Sequence, residues 1–161
     1  MSFALRFDHI GIAVRDLDAA RRSYEELFGY TPLSGPFDDP VQQARVLFLA
    51  DPRLAVGDGN GSSDVVLELV APLDETSHVA RLVDSGVGAY HVCYRVEDLG
   101  AALEEFRGKG CLIVKQPAPA VAYGGRRIAW LYLPTRQLVE LVEQAPEDDG
   151  APTEGAAGGG A

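Results

Sequence analysis

FDHIGIAVRDLDAARRSYEELFG, residues 7–29, is a stretch that the chain repeats as AYHVCYRVEDLGAALEEFRGKG, residues 89–110. At a constant offset of 82 positions, His9 falls on His91 and Asp16 falls on Asp98. Further matches at this offset are Leu17 with Leu99, Ala19 with Ala101, Ala20 with Ala102, and Tyr24 with Phe106. Because several matches at one offset indicate a duplicated unit, the sequence predicts that both halves build the same structure.

Each copy has the pattern of a strand followed by a helix. Strand-forming residues alternate first, then Asp16 or Asp98 stands at a helix N-cap position, and apolar residues follow at helical spacing. Glycines after each helix predict where it ends. Three shorter extended segments follow in each half: YTPLSG, ARVLFLA and DVVLELVAP, then CLIVKQ, RRIAWLYL and QLVELVEQ. We therefore predict an α+β fold in which two tandem βαβββ modules form an open, β-barrel-like cleft.

The predicted domain covers residues 1–145. It consists of module one at about 6–73, a linking helix at about 74–86 and module two at about 88–145. Residues 146–161 are acidic and rich in Gly and Ala, with no bulky apolar residue to bury, and this composition predicts a disordered tail.

Composition limits the classes of function. The net charge of −10 repels nucleic acid and anionic lipid, so neither is an expected partner. No apolar run reaches the ~18 residues that a membrane span needs. The first residues lack the pattern of a signal peptide, and the two cysteines, Cys93 and Cys111, are too few for a disulfide framework. We expect a cytoplasmic protein with reduced thiols.

The two halves also end alike. VLELV (66–70) and LVELV (138–142) each place a glutamate, Glu68 or Glu140, at the centre of a strand-like apolar run. These glutamates are 72 rather than 82 positions apart, so we place about ten extra residues of the first half in the loop at 51–63. An unpaired carboxylate buried in such a strand costs several kcal/mol.

The two histidines lie in the repeated strands. Strand alternation puts His9 on one face with Phe7, Gly11 and Ala13, of which the two small residues leave room beside the ring. If the strands curl until the faces without helices meet, the two imidazoles and the two carboxylates converge. Two nitrogens and two oxygens suit a divalent ion such as Co, Mn, Ni, Zn or Fe. The sequence thus predicts a metal-containing cleft.

Each of these residues alone has a simpler interpretation. A single strand histidine is more often hydrogen-bonded in the core, and a single strand glutamate more often faces water. Repetition of the pair in both halves favours the metal site. His78 has no counterpart and is predicted on the surface of the linking helix, and Trp130 is predicted in the core. AYGGRR (122–127) is either a cationic substrate contact or a solvated hairpin.

The segments DHIGIAV, YHVCYRV, LELVAPLDETSHVARLV and LVELVEQ resemble the vicinal oxygen chelate superfamily, which includes glyoxalases, bleomycin resistance proteins and dioxygenases. Within it, they are most similar to the methylmalonyl-CoA epimerases. The resemblance covers about residues 6–145. It implies a divalent metal held by His9, Glu68, His91 and Glu140.

The resemblance also implies an activity. We expect a metal-dependent epimerase or isomerase that removes a proton α to a thioester carbonyl, with Glu68 and Glu140 as the catalytic carboxylates. The expected partner is a small acyl thioester, carried by coenzyme A or another carrier, and the protein is either a monomer or a homodimer. Some epimerases carry a separate glutamate base where this chain has Val46. A ligand glutamate would then act as the base, as in glyoxalase I.

Other members of the superfamily supply the alternatives. These are a glyoxalase I-like lyase, a biosynthetic tailoring enzyme and a non-catalytic protein that binds a small molecule such as an antibiotic. An extradiol dioxygenase is less expected, because it needs only two histidines and one glutamate, together with open sites for oxygen. The binding proteins commonly lack the metal ligands, so four candidate ligands in this chain favour an enzyme.

Overall fold

The computed structural model describes residues 4–53 and 65–145. Its elements, in chain order, are β1 (Leu5–Ala13), α1 (Leu17–Phe28), β2 (Thr31–Asp39), β3 (Ala44–Ala50), β4 (Val66–Pro72), α2 (His78–Asp84), β5 (Ala89–Val96), α3 (Leu99–Gly108), β6 (Leu112–Pro119), a 3₁₀ turn (Val121–Tyr123), β7 (Arg127–Tyr132) and β8 (Leu138–Glu143). The predicted α+β class is confirmed.

The predicted N-caps form in both long helices. The carboxylate of Asp16 accepts a hydrogen bond from the backbone N–H of Ala19 at 2.9 Å, and Asp98 accepts one from Ala101 at the same distance. Such a cap satisfies one of the free N–H groups of the first helical turn. The linking helix is shorter than predicted, because Ser77 caps it and it ends at Asp84.

One eight-stranded sheet contains all the described strands, in the order β2-β3-β4-β1-β5-β8-β7-β6. The halves join where β1 and β5 pair antiparallel at the centre, and each of these strands has a parallel neighbour, β4 or β8. The sheet does not close into a barrel, but its edge regions approach each other. Lys115 on β6 donates a hydrogen bond to Gln42 Oε1 at 2.7 Å, and the N–H of Val121 donates one to Asp39. The sheet therefore curves around an open cleft.

Helices α1 and α3 cover the face of the sheet opposite the cleft. Two apolar clusters lie there, one beneath α1 and one beneath α3. They are formed mainly by Leu17, Leu47, Leu49, Leu69 and Ala71, and by Val96, Leu99, Leu103, Leu131 and Leu141. Because these clusters occupy the helix side, the other side of the central strands is free to carry polar groups.

Two β-bulges interrupt the central strand pair. Phe7 is opposite Tyr94 and His9 is opposite Cys93, so Asp8 has no residue opposite it. In the same way, Gly11 pairs with His91 and Ile12 with Ala89, which leaves Tyr90 without one. Because an extra residue breaks the alternation of a strand, residues on either side of it change faces.

The bulge at Asp8 corrects one expectation about β1. Phe7 does not share the buried face with His9, since 43% of Phe7 is exposed whereas His9 is fully buried. Gly11 and Ala13, predicted on the face of His9, are buried together with it.

Two predicted features fall outside the described residues: most of the loop at 51–63 and the tail at 146–161. Within the described part of the chain, every helix is too short or too polar to cross a bilayer.

Candidate metal centre

The four predicted ligands come together in the middle of the sheet. His9, Glu68, His91 and Glu140 lie on the four central strands, β1, β4, β5 and β8, and all four are buried. One ligand atom from each residue lies within 4.8 Å of the other three. Residues as much as 131 positions apart in the chain thus share one small volume.

The distances between the donor atoms suit one cation. The two Nε2 atoms of His9 and His91 are 3.1 Å apart. His9 Nε2 lies 3.2 Å from Glu68 Oε2 and 3.4 Å from Glu140 Oε2, and the corresponding distances from His91 Nε2 are 3.3 and 3.5 Å. A tetrahedral ion with ligand bonds of about 2.0–2.1 Å separates its donors by about 3.3 Å. The donor set therefore fits a divalent transition metal.

One oxygen of the quartet indicates a cation independently of these distances. Glu140 Oε2 is buried and accepts no hydrogen bond from any described residue. Buried carboxylate oxygens are normally satisfied, so an unsatisfied one facing two imidazoles is expected where a cation binds.

Gly11 makes room for one of the ligands. It lies directly opposite His91 in the strand pair and beside Glu68 in the neighbouring pair. A Cβ atom at position 11 would lie 1.8 Å from Cε1 of His91. Only glycine at position 11 therefore leaves room for the imidazole of His91 in the position where it meets the other donors.

Without a metal ion the quartet is a cluster of ion pairs. Burial alone would raise the pKa of Glu68, but the adjacent imidazoles of His9 and His91 lower it to about 2. The same imidazoles lower the pKa of Glu140. Burial alone would lower the pKa values of both histidines, but the carboxylates raise them above the usual range. A metal ion must therefore displace protons from the imidazoles when it binds.

Three polar residues around His9 were missed by sequence reasoning. Asp8 Oδ2 lies 2.7 Å from His9 Nδ1, and the hydroxyl of Tyr123 donates a hydrogen bond of 2.7 Å to the same oxygen. Arg95 forms an ion pair with the other oxygen of Asp8. An acidic residue next to a histidine in an apolar strand was the available signal. The contacts of Tyr123 and Arg95 left no pattern in the sequence.

A cavity of about 30 Å³ adjoins the glutamates, and its walls are mostly apolar. Val46 lies on this wall, so position 46 presents an apolar side chain and no carboxylate. Trp130 also lines the cavity, with its ring centroid 4.8 Å from that of His91. Trp130 packs against a buried cluster that includes Cys93 and Ile128, as predicted for a core residue. Its ring also meets a candidate ligand, because β7 pairs with β8 beside Glu140.

A larger cavity of about 840 Å³ extends outward past His91. It shares His78 and Tyr90 with the small cavity, and Arg81 and Arg136 lie on its wall. His78 is thus a cavity residue at the start of α2, as well as a surface residue of that helix. Clefts of about 300–1,000 Å³ accommodate most small-molecule ligands.

The two arginines of the AYGGRR segment contact Glu143, whereas its tyrosine points toward the quartet. Arg126 donates to the backbone carbonyl of Glu143 at 2.7 Å, and Arg127 forms an ion pair with the Glu143 carboxylate. These contacts favour the hairpin interpretation for the two cations. Tyr123, in the same segment, points inward to Asp8 and His9.

Comparison with known proteins agrees with this geometry. Residues 8–130 match the family described as the glyoxalase/bleomycin resistance protein/dioxygenase superfamily. The ethylmalonyl-CoA/methylmalonyl-CoA epimerase of Cereibacter sphaeroides is 29% identical over 79% of this chain and 87% of its own length. The lactoylglutathione lyase GLX1 of Arabidopsis thaliana is 30% identical over 88% of this chain, which spans only 45% of that relative.

Solved structures give the same result. The methylmalonyl-CoA epimerase of Mycobacterium tuberculosis superposes with a TM-score of 0.71 and 34% identity, over 87% of this chain and 88% of that one. A variant of the Streptomyces coelicolor methylmalonyl-CoA epimerase in complex with 2-nitronate-propionyl-CoA superposes with a TM-score of 0.70 and 30% identity, over 88% and 98% of the two chains.

Proposed function

Because the chain belongs to the glyoxalase/bleomycin resistance protein/dioxygenase superfamily, we propose that it is a metal-dependent epimerase acting on a methylmalonyl-CoA-like thioester. The observation that carries the proposal is the close approach of two imidazoles and two carboxylates, one of each from either half of the chain. The distance between the two imidazole nitrogens, and each distance from an imidazole nitrogen to a carboxylate oxygen, is 3.1–3.5 Å. Relatives named as methylmalonyl-CoA epimerases support the choice of substrate.

In this proposal, His9, Glu68, His91 and Glu140 hold a divalent cation. Such a cation polarises the thioester carbonyl and so acidifies the C–H bond beside it. Epimerisation requires that a proton leave one face of the α carbon and that another arrive on the opposite face. Glu68 on β4 and Glu140 on β8 come from opposite halves of the sheet, and we assign them the two proton transfers.

The walls of the cavity support these assignments. Val46 cannot act as a base, and this favours a carboxylate of the quartet as the group that exchanges the proton. Trp130 and Tyr90 pack their rings at 4.8 and 4.5 Å from the ring of His91 and give the wall beside the glutamates an apolar surface.

Deuterium incorporation tests the proposal. Metal-loaded protein in D₂O should convert one enantiomer of methylmalonyl-CoA into the other and introduce deuterium at the α carbon. Glu68→Gln and Glu140→Gln retain a possible ligand oxygen but cannot carry the proton, so each should lose most of the interconversion of enantiomers. Folded protein with metal bound that introduces no deuterium would contradict the epimerase function.

A second candidate is a glyoxalase I-like reaction. The apolar Val46 favours this candidate, because a glyoxalase I-like reaction uses a ligand glutamate as the base. The 30% identity to a lactoylglutathione lyase also favours it. Methylglyoxal mixed with glutathione is the matching substrate, and formation of lactoylglutathione would favour this candidate. A tailoring enzyme with another substrate would turn over neither compound, and a non-catalytic binding protein would bind without turnover.

A further inference from the structure

The two histidines of the quartet have different neighbours at equivalent positions. The offset of 82 that aligns His9 with His91 also aligns Asp8 with Tyr90. Both preceding residues are the unpaired residues of the two bulges. Because a bulge sends the extra side chain to the side of its neighbour, each histidine has a companion on the same side of the sheet. The companion is a carboxylate in one half and a phenol in the other.

The companion of His9 is held by contacts from three elements. Asp8 lies 2.7 Å from His9 Nδ1, receives a hydrogen bond from the Tyr123 hydroxyl at 2.7 Å, and pairs with Arg95 through its second oxygen. These contacts fix the carboxylate of Asp8 directly behind the imidazole of His9.

The Nδ1 atom of His91 has no such contact. It is buried and forms no hydrogen bond with any residue in the ranges 4–53 and 65–145. Aromatic rings surround the imidazole instead, with Tyr90 and Trp130 both meeting it edge to face. On its Nδ1 side, His91 is therefore held by ring packing and not by a hydrogen bond.

We propose that Asp8 is a positioning residue that makes His9 the anchoring ligand of the metal. Its carboxylate accepts a hydrogen bond from the protonated Nδ1 of His9. The unprotonated Nε2 is then the atom that is free to bind the cation. A carboxylate behind a ligand histidine fixes the tautomer and raises the basicity of the ligand atom. This inference depends on the metal site of the proposed function, but it does not depend on the identity of the substrate.

A direct ligand role for Asp8 is the competing explanation. Asp8, His9 and Cys93 also place one donor each within 4.8 Å of one another. Both oxygens of Asp8, however, are occupied by His9, Tyr123 and Arg95. A purely structural ion pair is the other alternative. The Arg95 side chain is 49% exposed, and ion pairs with such exposed groups contribute little to stability.

Metal affinity measures the proposed role without any need for turnover. The dissociation constant of the full chain for Co²⁺ or Zn²⁺ is measured by competition with a chromophoric chelator. Asp8→Asn should weaken binding about 10–100-fold, the range found when such orienting partners are removed. Tyr123→Phe removes only one of the hydrogen bonds to Asp8 and should weaken binding by a smaller factor. The absorption spectrum of bound Co²⁺ should change in Asp8→Asn, since the Nε2 ligand is no longer fixed.

Asp39→Asn is the matched control. Asp39 is also buried, but among the described residues its carboxylate accepts hydrogen bonds from backbone N–H groups only, those of Val41, Gln42 and Val121. This variant should lose thermal stability without losing metal affinity. The proposal is overturned if Asp8→Asn binds metal as tightly as the unaltered protein, or if Asp39→Asn and Asp8→Asn lose affinity equally. It is also overturned if the unaltered protein binds no metal. Tight binding that depends on Asp8, together with no epimerisation, would support the proposal and contradict the proposed function alone.

Discussion

The bulge before His9 and the bulge before His91 occupy equivalent places in the two halves of the sheet but carry different side chains. Asp8 bonds to its histidine and is itself held by Tyr123 and Arg95, whereas Tyr90 only packs against its histidine. The duplicated strands thus carry the same candidate donors, while the residues next to those donors have diverged. Under the proposal, polar contacts orient the histidine of the first half, whereas aromatic rings pack around the histidine of the second half and line the cavity.

The largest effect expected from this comparison is loss of a ligand. His9→Ala and His91→Ala should each weaken metal binding by more than about 100-fold, because each removes one of four donors. His9→Ala should be the more damaging change, since it also leaves Asp8 as an anion without its main partner. Dissociation constants for Zn²⁺ measured on both variants check this order. Equal losses would mean that the two histidines are equivalent ligands.

Gly11→Ala should displace His91 while leaving Asp8 and His9 in place. The new Cβ atom would overlap the imidazole, which must rotate out of the site. We expect weaker metal binding and a loss of stability of about 1–3 kcal/mol, as for other overpacked cores. Chemical denaturation of the metal-free protein and chelator competition measure the two effects. Gly88→Ala is the control, because no atom of the described residues beyond its two chain neighbours lies within 4 Å of a Cβ at that position.

Stability of the metal-free protein should depend on the charges of the quartet. The pKa of Glu68 is about 2 in the folded chain, against an ordinary value of 4.5. A lowered carboxyl pKa contributes stability that is complete above the ordinary value and is lost as the pH falls toward 2. The melting temperature of metal-free protein should therefore fall between pH 5 and about pH 2 more steeply than that of Glu68→Gln. Parallel curves for the two proteins would contradict this assignment.

Raised histidine pKa values act in the opposite direction. His9 and His91 contribute stability below their ordinary value of 6.5, and this contribution is lost as the pH rises through their raised values. Bound metal replaces those protons, so the difference in melting temperature between metal-loaded and metal-free protein should widen as the pH rises above 6.5. Thermal scans with and without Zn²⁺ measure that difference.

The smallest effect is expected at the second bulge. Tyr90→Phe keeps the ring that packs against His91 and removes only the hydroxyl. Metal affinity should change less than twofold, in contrast to the larger loss expected for Asp8→Asn. The same chelator competition compares the two. A comparable loss in Tyr90→Phe would mean that the phenol supports His91 as Asp8 supports His9.

Much of the fold and of the candidate site could be predicted from short-range patterns in the sequence. The offset of 82 predicted two similar halves, and the aspartates at 16 and 98 predicted both helix starts, which depend on contacts within three residues. The four candidate ligands stood out because charged or polar residues in apolar strands need a partner. Strand alternation failed only at the bulges, where an unpaired residue cannot be recognised without its partner strand.

The amino-acid sequence by itself determined the order of the elements and the donor types of the quartet, because these depend on short-range spacing and on side-chain chemistry. Tertiary structure alone decided how the sheet curves and which residues stand behind each histidine. Tyr123 meets Asp8 from 115 positions away, and Arg95 meets it from 87. Such contacts arise only when distant strands have paired in register, so no local pattern in the chain encodes them.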